Sequence, residues 1–437
     1  MILAPNNNSP VSPTYPEFKL STLDNGLRIV TAELPNTYSA SISVYIGVGA
    51  RFESVDEAGI SHMLEHLVFK GTARRPNPVE ISGVIENVGG VLNAATEQEL
   101  TVYWCKVAFT YLDQSLELLI DMVRNSLFSP DELERERLVI LEELNMVNDQ
   151  PNSKVEILLD ELLWPEHPLG RDVGGNHDSV KKITRDMVIN YADRFYRPNN
   201  TVISVAGNVN HDHIVEISKQ YTKDWVPGSE FQFIPYNPTE MSRKQVQIQY
   251  RKTEQSHLAL GFPGVSIGSS KRYHMELLSV ILGEGMSSRL FLEIREKLGL
   301  AYDIHSESIN YKDCGALLVM AGVDPGKIEN TVSNILDEIL RLSEGISELE
   351  LEKAKRMSQG AISLQMEDTK YVSAWMGVQE LILKKISGVE QVVNEINKVD
   401  LNEINLAAKY VCQINKVKLA VLGPHRQNHR ILNLLET

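Results

Sequence analysis

Cysteine is scarce in this chain of 437 residues: Cys105, Cys314 and Cys412 are far apart and odd in number. That excludes a disulfide framework, fits a reducing compartment and assigns all three to the core. Long hydrophobic runs are also missing, so no segment is expected to span a bilayer and no membrane partner is expected. The start of the chain, Met1-Ile2-Leu3-Ala4-Pro5 followed by Asn and Ser, has neither a basic region nor a long apolar stretch. It reads neither as a signal peptide nor as an Arg-rich transit peptide, and the expected compartment is the cytoplasm, with an organellar matrix open to a matured chain. Net positive charge is absent too. A formal charge of −15 argues against nucleic acid as a partner and suits basic peptides, although such a charge often serves solubility alone. What remains, 43% hydrophobic and 23% charged residues, is the composition of a soluble globular protein long enough for two domains or more.

Against this background one pentapeptide stands out, His62-Met63-Leu64-Glu65-His66. At 100° per residue, Ile60, Met63, Leu64, Leu67 and Val68 make one apolar stripe, while His62, Glu65 and His66 fall on the other side. Core packing therefore does not account for the histidines. A lone i, i+4 His pair is as readily solvated as functional, but the intervening Glu changes the balance. Two neutral imidazoles on one face can share a zinc ion, and a neighbouring carboxylate can take a proton from water bound to it. The order His-x-x-Glu-His is a hydrolase signature in its own right. A carboxylate pair, Glu142-Glu143, follows on a second expected helix and can complete the ligand set. The pattern points to a hydrolytic metalloenzyme.

The chain also reads as an imperfect repeat. An amphipathic helix over Tyr111 to Arg124 precedes one opened by Pro130-Asp131-Glu132. A similar helix over Ile328 to Leu342 precedes one opened by Ser347-Glu348-Leu349. Setting Leu133-Glu134-Arg135 on Leu351-Glu352-Lys353 places Glu136 opposite Ala354 and Glu143 opposite Ala361. The second half has no His-x-x-Glu-His either, so the acids vanish where the histidines vanish, which ties Glu136 and Glu143 to the same site. Strands are expected at Thr201 to Gly207, Gln245 to Tyr250 and His257 to Phe262. The Pro-rich stretch between Asp224 and Arg243 marks a boundary. The expected organisation is a loose tail at 1–16, an α+β domain at 17–225, a linker at 226–242 and a second α+β domain at 243–437.

With these pieces in order, the sequence resembles the pitrilysin/insulysin family of zinc metallopeptidases, the inverzincins, and within it the short-chain subfamily that includes the mitochondrial processing peptidase and its bacterial relatives. The matching stretches run from Leu23-Asp24-Asn25-Gly26-Leu27 through Gly59 to His66, Asn93-Ala94 with Thr96 and Glu99, and Glu134 to Glu143. They continue with His167-Pro168-Leu169-Gly170, Phe195-Tyr196-Arg197-Pro198-Asn199-Asn200, Leu282 to Phe291 and Arg295 to Tyr302, ending at Val421-Leu422-Gly423. The resemblance implies two similar domains, each a mixed, largely antiparallel sheet packed with helices. It implies one zinc per chain held by His62, His66 and Glu143, with Glu65 as general base and Glu136 orienting a ligand histidine. Asn93 and Ala94 would lie on an edge strand that pairs with extended peptide. Arg295 and Tyr302, which by themselves read as a solvated helix charge and a packed strand residue, would reach the substrate from the silent half. Peptide hydrolysis is the implied reaction, and the alternative is a catalytically inactive scaffold or partner subunit. Because both halves are in one chain, a homodimer is the expected assembly, with a heterodimer with a related chain also open.

Overall fold

The computed structural model describes residues 15–229, 231–237, 245–426, 431 and 435. Most of the expected tail at 1–16 and part of the expected linker at 226–242 lie outside the described residues. Strands β1 (Phe18–Thr22), β2 (Arg28–Glu33), β3 (Ser39–Ile46), β4 (Val91–Thr96), β5 (Thr101–Ala108) and β6 (Thr201–Gly207) form one sheet in the order β1-β2-β6-β3-β5-β4. Strands β7 (Val246–Tyr250), β8 (Ser256–Pro263), β9 (Ala301–Asn310), β10 (Gly315–Val323) and β11 (Lys418–Gly423) form a second, ordered β7-β11-β8-β10-β9. Without β1 the two orders correspond strand for strand. In each sheet one pair is parallel, β2 with β6 and β7 with β11, and the others are antiparallel. The chain is thus two similar α+β halves, as its repeat and its resemblance imply. The central strands β3, β6 and β11 are buried almost throughout, as strands covered on both faces must be, even though β3 carries serine at 39, 41 and 43.

The expected helices form at Leu112–Asn125, Pro130–Asp149, Ile328–Glu344 and Glu348–Gln365. Pro130 sits where its missing N–H costs nothing, and Ser347 with Glu350 forms a capping box. The halves also exchange helices. The helix Pro151–Leu163, from the first half, lays Val155, Leu158, Leu159 and Leu162 on Ala259, Leu318, Ala420 and Leu422 of the second sheet. The helix Thr369–Leu383 returns the contact, with Val372, Met376 and Leu381 against Val30, Tyr45 and Val202 of the first. Glycines permit both approaches. A Cβ on Gly377 would meet the Tyr45 ring at 2.3 Å, and one on Gly261 would meet Leu163 at 2.9 Å.

Of the cysteines, Cys105 is fully buried, while Cys314 and Cys412 are partly buried and pack against the margins of core clusters. Among the described residues no helix is long and apolar enough to cross a membrane.

Candidate metal centre

The site is built on the helix Ile60–Val68. Its apolar stripe is buried, with Ile60, Met63 and Leu64 fully so, which turns His62, Glu65 and His66 toward an open cleft. Gly59 caps the helix at φ 90°, a left-handed conformation, and a Cβ there would meet the Gly174 carbonyl oxygen at 2.5 Å. The carboxylate of Glu53 accepts hydrogen bonds from the N–H groups of Gly59 and Ser61, both at 2.8 Å, satisfying donors that a helix start leaves free. Burial raises the pKa of Glu53 to about 7 despite those two bonds.

Nε2 of His62 and Nε2 of His66 lie 3.3 Å apart. Oε2 of Glu143, on the helix Pro130–Asp149, lies 3.7 Å from the first and 3.5 Å from the second. Donor atoms on a tetrahedral zinc with bonds of about 2.0–2.2 Å stand about 3.3–3.6 Å apart, so the three atoms already outline one face of that polyhedron. Nδ1–H of His66 donates to Oε2 of Glu136 at 2.9 Å, which leaves the lone pair on Nε2 facing His62 and Glu143. Two lone pairs and a carboxylate aimed at one point repel unless a cation sits among them. The donor set therefore fits zinc, with room for a fourth ligand from the cleft.

The electrostatics differ between the two histidines. Burial and the neighbouring His66 depress the pKa of His62 to about 4, which keeps its ring neutral. For His66, burial lowers the pKa, but the hydrogen bond to Glu136 and the charges of Glu143, Glu136 and Glu65 outweigh it and the net shift is upward. Glu136 is buried, which would raise its pKa, but bonds from His66 and Lys70 bring it down; Nζ of Lys70 is 2.7 Å from Oε1. Glu65 does not share the ligand cluster. Its Oε2 accepts a hydrogen bond from the Thr96 hydroxyl at 2.5 Å, and burial, assisted by Glu143, raises its pKa.

The cleft beside the cluster has a volume of about 460 Å³, with Ile140, Leu144, Met146, Val147 and Val173 on its apolar side. Asp172, also in its lining, belongs to a crowd of acids. Asp160, partly buried, has its pKa pushed up to about 8 by burial first and then by Glu156, Glu307, Asp172 and Glu161.

Asn93 and Ala94 lie on β4, the end strand of its sheet, paired on one side only, with β5. Asn93 is exposed and its Oδ1 accepts from the Ala94 N–H at 2.8 Å. Thr96, on the same strand, ties that edge to Glu65. Arg295 and Tyr302 come together elsewhere. The guanidinium stands 5.0 Å from the Tyr302 ring and 4.7 Å from the Phe291 ring. Tyr302 is 77% exposed rather than packed, because on the edge strand β9 it points away from the core. Among the described residues neither shares a hydrogen bond, ion pair or ring contact with His62, His66 or Glu143. Sequence reasoning missed Glu53, Lys70 and the role of Thr96. Glu53 acts locally, on backbone six and eight residues along; Lys70 and Thr96 act through contacts distant in the chain.

The family model described as "Insulinase (Peptidase family M16)" matches residues 28–177, and that described as "Peptidase M16 inactive domain" matches residues 182–358. An uncharacterized zinc protease of Bacillus subtilis (strain 168) is 34% identical over 409 residues, covering 93% of this chain and 98% of the relative. One from Mycobacterium leprae (strain TN) is 36% identical over 409 residues, covering 93% and 91%. Among solved structures, a protease from Helicobacter pylori superimposes with a TM-score of 0.88 at 25% identity, covering 94% of this chain and 100% of that one. A chain from Pseudomonas fluorescens described as a peptidase M16 inactive domain gives a TM-score of 0.85 at 18% identity, covering 93% and 98%, and so shares the fold.

Proposed function

This chain belongs to the insulinase family of peptidases, M16, and from that premise we propose that it is a zinc-dependent endopeptidase acting on peptides held in extended form. The observation that carries the reading is the convergence of Nε2 of His62, Nε2 of His66 and Oε2 of Glu143 at tetrahedral spacing. His62, His66 and Glu143 would hold a zinc ion, which would supply there a Lewis acid able to activate water near neutral pH and polarise a carbonyl. Glu65 takes the proton of the attacking water and passes it to the leaving amine, a task its upward-shifted pKa suits. Thr96 holds the Glu65 carboxylate in place, and Glu136, braced by Lys70, holds the tautomer and plane of His66.

The substrate backbone adds to the free edge of β4 at Asn93 and Ala94, so extendedness matters more than side-chain identity. The apolar side of the cleft accepts a hydrophobic side chain, and the acids around Asp160 favour basic residues nearby. Arg295 and Tyr302 approach the carbonyl oxygen from the second half and stabilise charge developing there. A homodimer would close the cleft from bulk water, and sedimentation showing a fully active monomer would exclude that assembly.

The test is cleavage of a quenched basic peptide, with product masses, by wild type and Glu65→Gln. Wild type should cleave, and the variant should bind the same zinc and lose about a hundredfold to ten-thousandfold in kcat. Full zinc with no cleavage by wild type would instead indicate the catalytically inactive partner subunit. The intact ligand set of the first half argues against that alternative.

A further inference from the structure

A wholly buried arginine lies just before the metal-site helix, and the peptidase reading gives it no task. Arg51 is 0% exposed, in the short turn Ala50–Phe52 that leads out of β3. Its Nη1 donates to Oε1 of Glu99 at 2.5 Å, and its Nη2 donates to both oxygens of Asp313 at 2.6 Å. Nη2 also reaches the carbonyl oxygen of Ile234 at 3.2 Å, and the Phe233 ring covers the guanidinium at 4.2 Å. Glu99 accepts the backbone N–H of Lys312 at 3.1 Å on each oxygen, and Asp313 accepts the N–H of Tyr236 at 2.9 Å.

The positions of the two acids give this cluster its meaning. Glu99 lies in the turn joining β4 to β5, and Asp313 in the turn joining β9 to β10. Strands β4 and β9 are the corresponding end strands of the two sheets. One carries Asn93, Ala94 and Thr96, and the other carries Tyr302. A single guanidinium therefore pins together the tips of the two edge hairpins, one from each half. The turn that bears it is stitched to the β4–β5 turn by backbone, with Ala50 N–H to Glu97 at 3.1 Å and Arg51 N–H to Gln98 at 2.8 Å. A Cβ on the adjacent Gly49 would meet the Glu97 carbonyl oxygen at 2.0 Å, so the approach is as close as backbone allows.

Stability is a poor reason for such a cluster. Taking charges out of water carries a large desolvation cost, and well-packed apolar residues of the same volume commonly do as well. A planar fork with one arm on Glu99 and the other on Asp313 does set geometry, even with Nε buried and without a partner. We infer that Arg51, Glu99 and Asp313 are positioning residues that fix the spacing and register of the two edge strands across the cleft, so that a peptide held on β4 meets the second half at a set distance. This rests on the peptidase reading for its effect on turnover, but not for its effect on geometry.

The experiment uses the full-length, zinc-loaded protein with bio-orthogonal spin labels at Val91 and Asp303, exposed positions on β4 and β9, which avoid the native cysteines. Asp313→Asn should keep its zinc, broaden the inter-strand distance distribution and lower kcat by about tenfold to a hundredfold, more than it changes KM. Asp313→Glu, which restores the charge, should recover part of both. Glu99→Gln, which spares the Arg51–Asp313 pair, is read in the same way and decides the matter if Asp313→Asn does not fold. A lower melting temperature with an unchanged distance distribution and unchanged kcat would overturn the inference and leave the cluster a purely structural one. If wild type cleaves nothing, the peptidase reading fails while the distance distribution still decides this one.

Discussion

The two halves of this chain share a strand order and differ in chemistry. In the first, a helix turned outward by its buried stripe presents His62, Glu65 and His66, and a longer helix brings Glu136 and Glu143 to meet them. In the second, the counterpart of that longer helix, Glu348–Gln365, carries Ala354 and Ala361 at the aligned positions, and the sequence of that half has no His-x-x-Glu-His. Backbone topology is therefore not what makes the metal centre. Five side chains do, and a half lacking them keeps the fold without the site. The second half is also no passenger, since each sheet is covered in part by a helix from the other half.

The comparison breaks most completely if the first half is made as silent as the second. His66→Ala should bind no stoichiometric zinc and show no peptidase activity, as read by elemental analysis and peptide cleavage. Retained zinc at one per chain would refute the ligand set. A milder version is Glu136→Gln, which keeps the ligands but loosens the hold on His66. Zinc affinity should fall about tenfold to a hundredfold in a competition titration with a chelator.

The metal-site stripe was legible because helical periodicity is a local property. Ile60, Met63, Leu64, Leu67 and Val68 are buried as the spacing required, and the absent acids of the repeat pointed to Glu136 and Glu143. Contacts between distant segments left no such trace. The hydroxyl of Thr96 on Glu65, the Lys70–Glu136 pair and the Arg51 cluster depend on which edges meet in space. The helix exchange was illegible for a related reason: an apolar face shows that a helix is covered, and not by which sheet. Tyr302 read as packed because strand residues commonly are, but an edge strand leaves such a ring in solvent.

The exchange itself can be tested. Gly377→Ala drives a methyl group into the Tyr45 ring and should cost about 1–3 kcal/mol in denaturant unfolding. Because that helix belongs to one half and its sheet to the other, both halves should lose stability together in one transition. A second, unshifted transition would show that they fold independently.

The expectation least tied to the metal centre concerns pH. Asp160 keeps its proton in the folded protein up to about pH 8, whereas an unfolded aspartate releases it near about 4. Between those values the folded state binds more protons, so this residue's contribution makes stability fall as pH rises, and it levels off above the folded value. In the second half Glu350 has the opposite sign. Burial opposes its ionisation, but hydrogen bonds from Arg289 and Ser347 and the charge of Arg289 win, holding its pKa at about 2. Its contribution is present above the ordinary glutamate value and is lost as pH falls toward about 2. Thermal midpoints measured across pH should decline less steeply in Asp160→Asn than in wild type above about pH 4, and an unchanged slope would remove Asp160 as the cause.

The central claim is best met by anomalous diffraction at the zinc edge from crystals of the zinc-loaded protein. One peak is predicted, within about 2.0–2.2 Å of a ring nitrogen of His62, a ring nitrogen of His66 and a carboxylate oxygen of Glu143. A fully occupied zinc bound elsewhere, or none at that point under saturating metal, would contradict it.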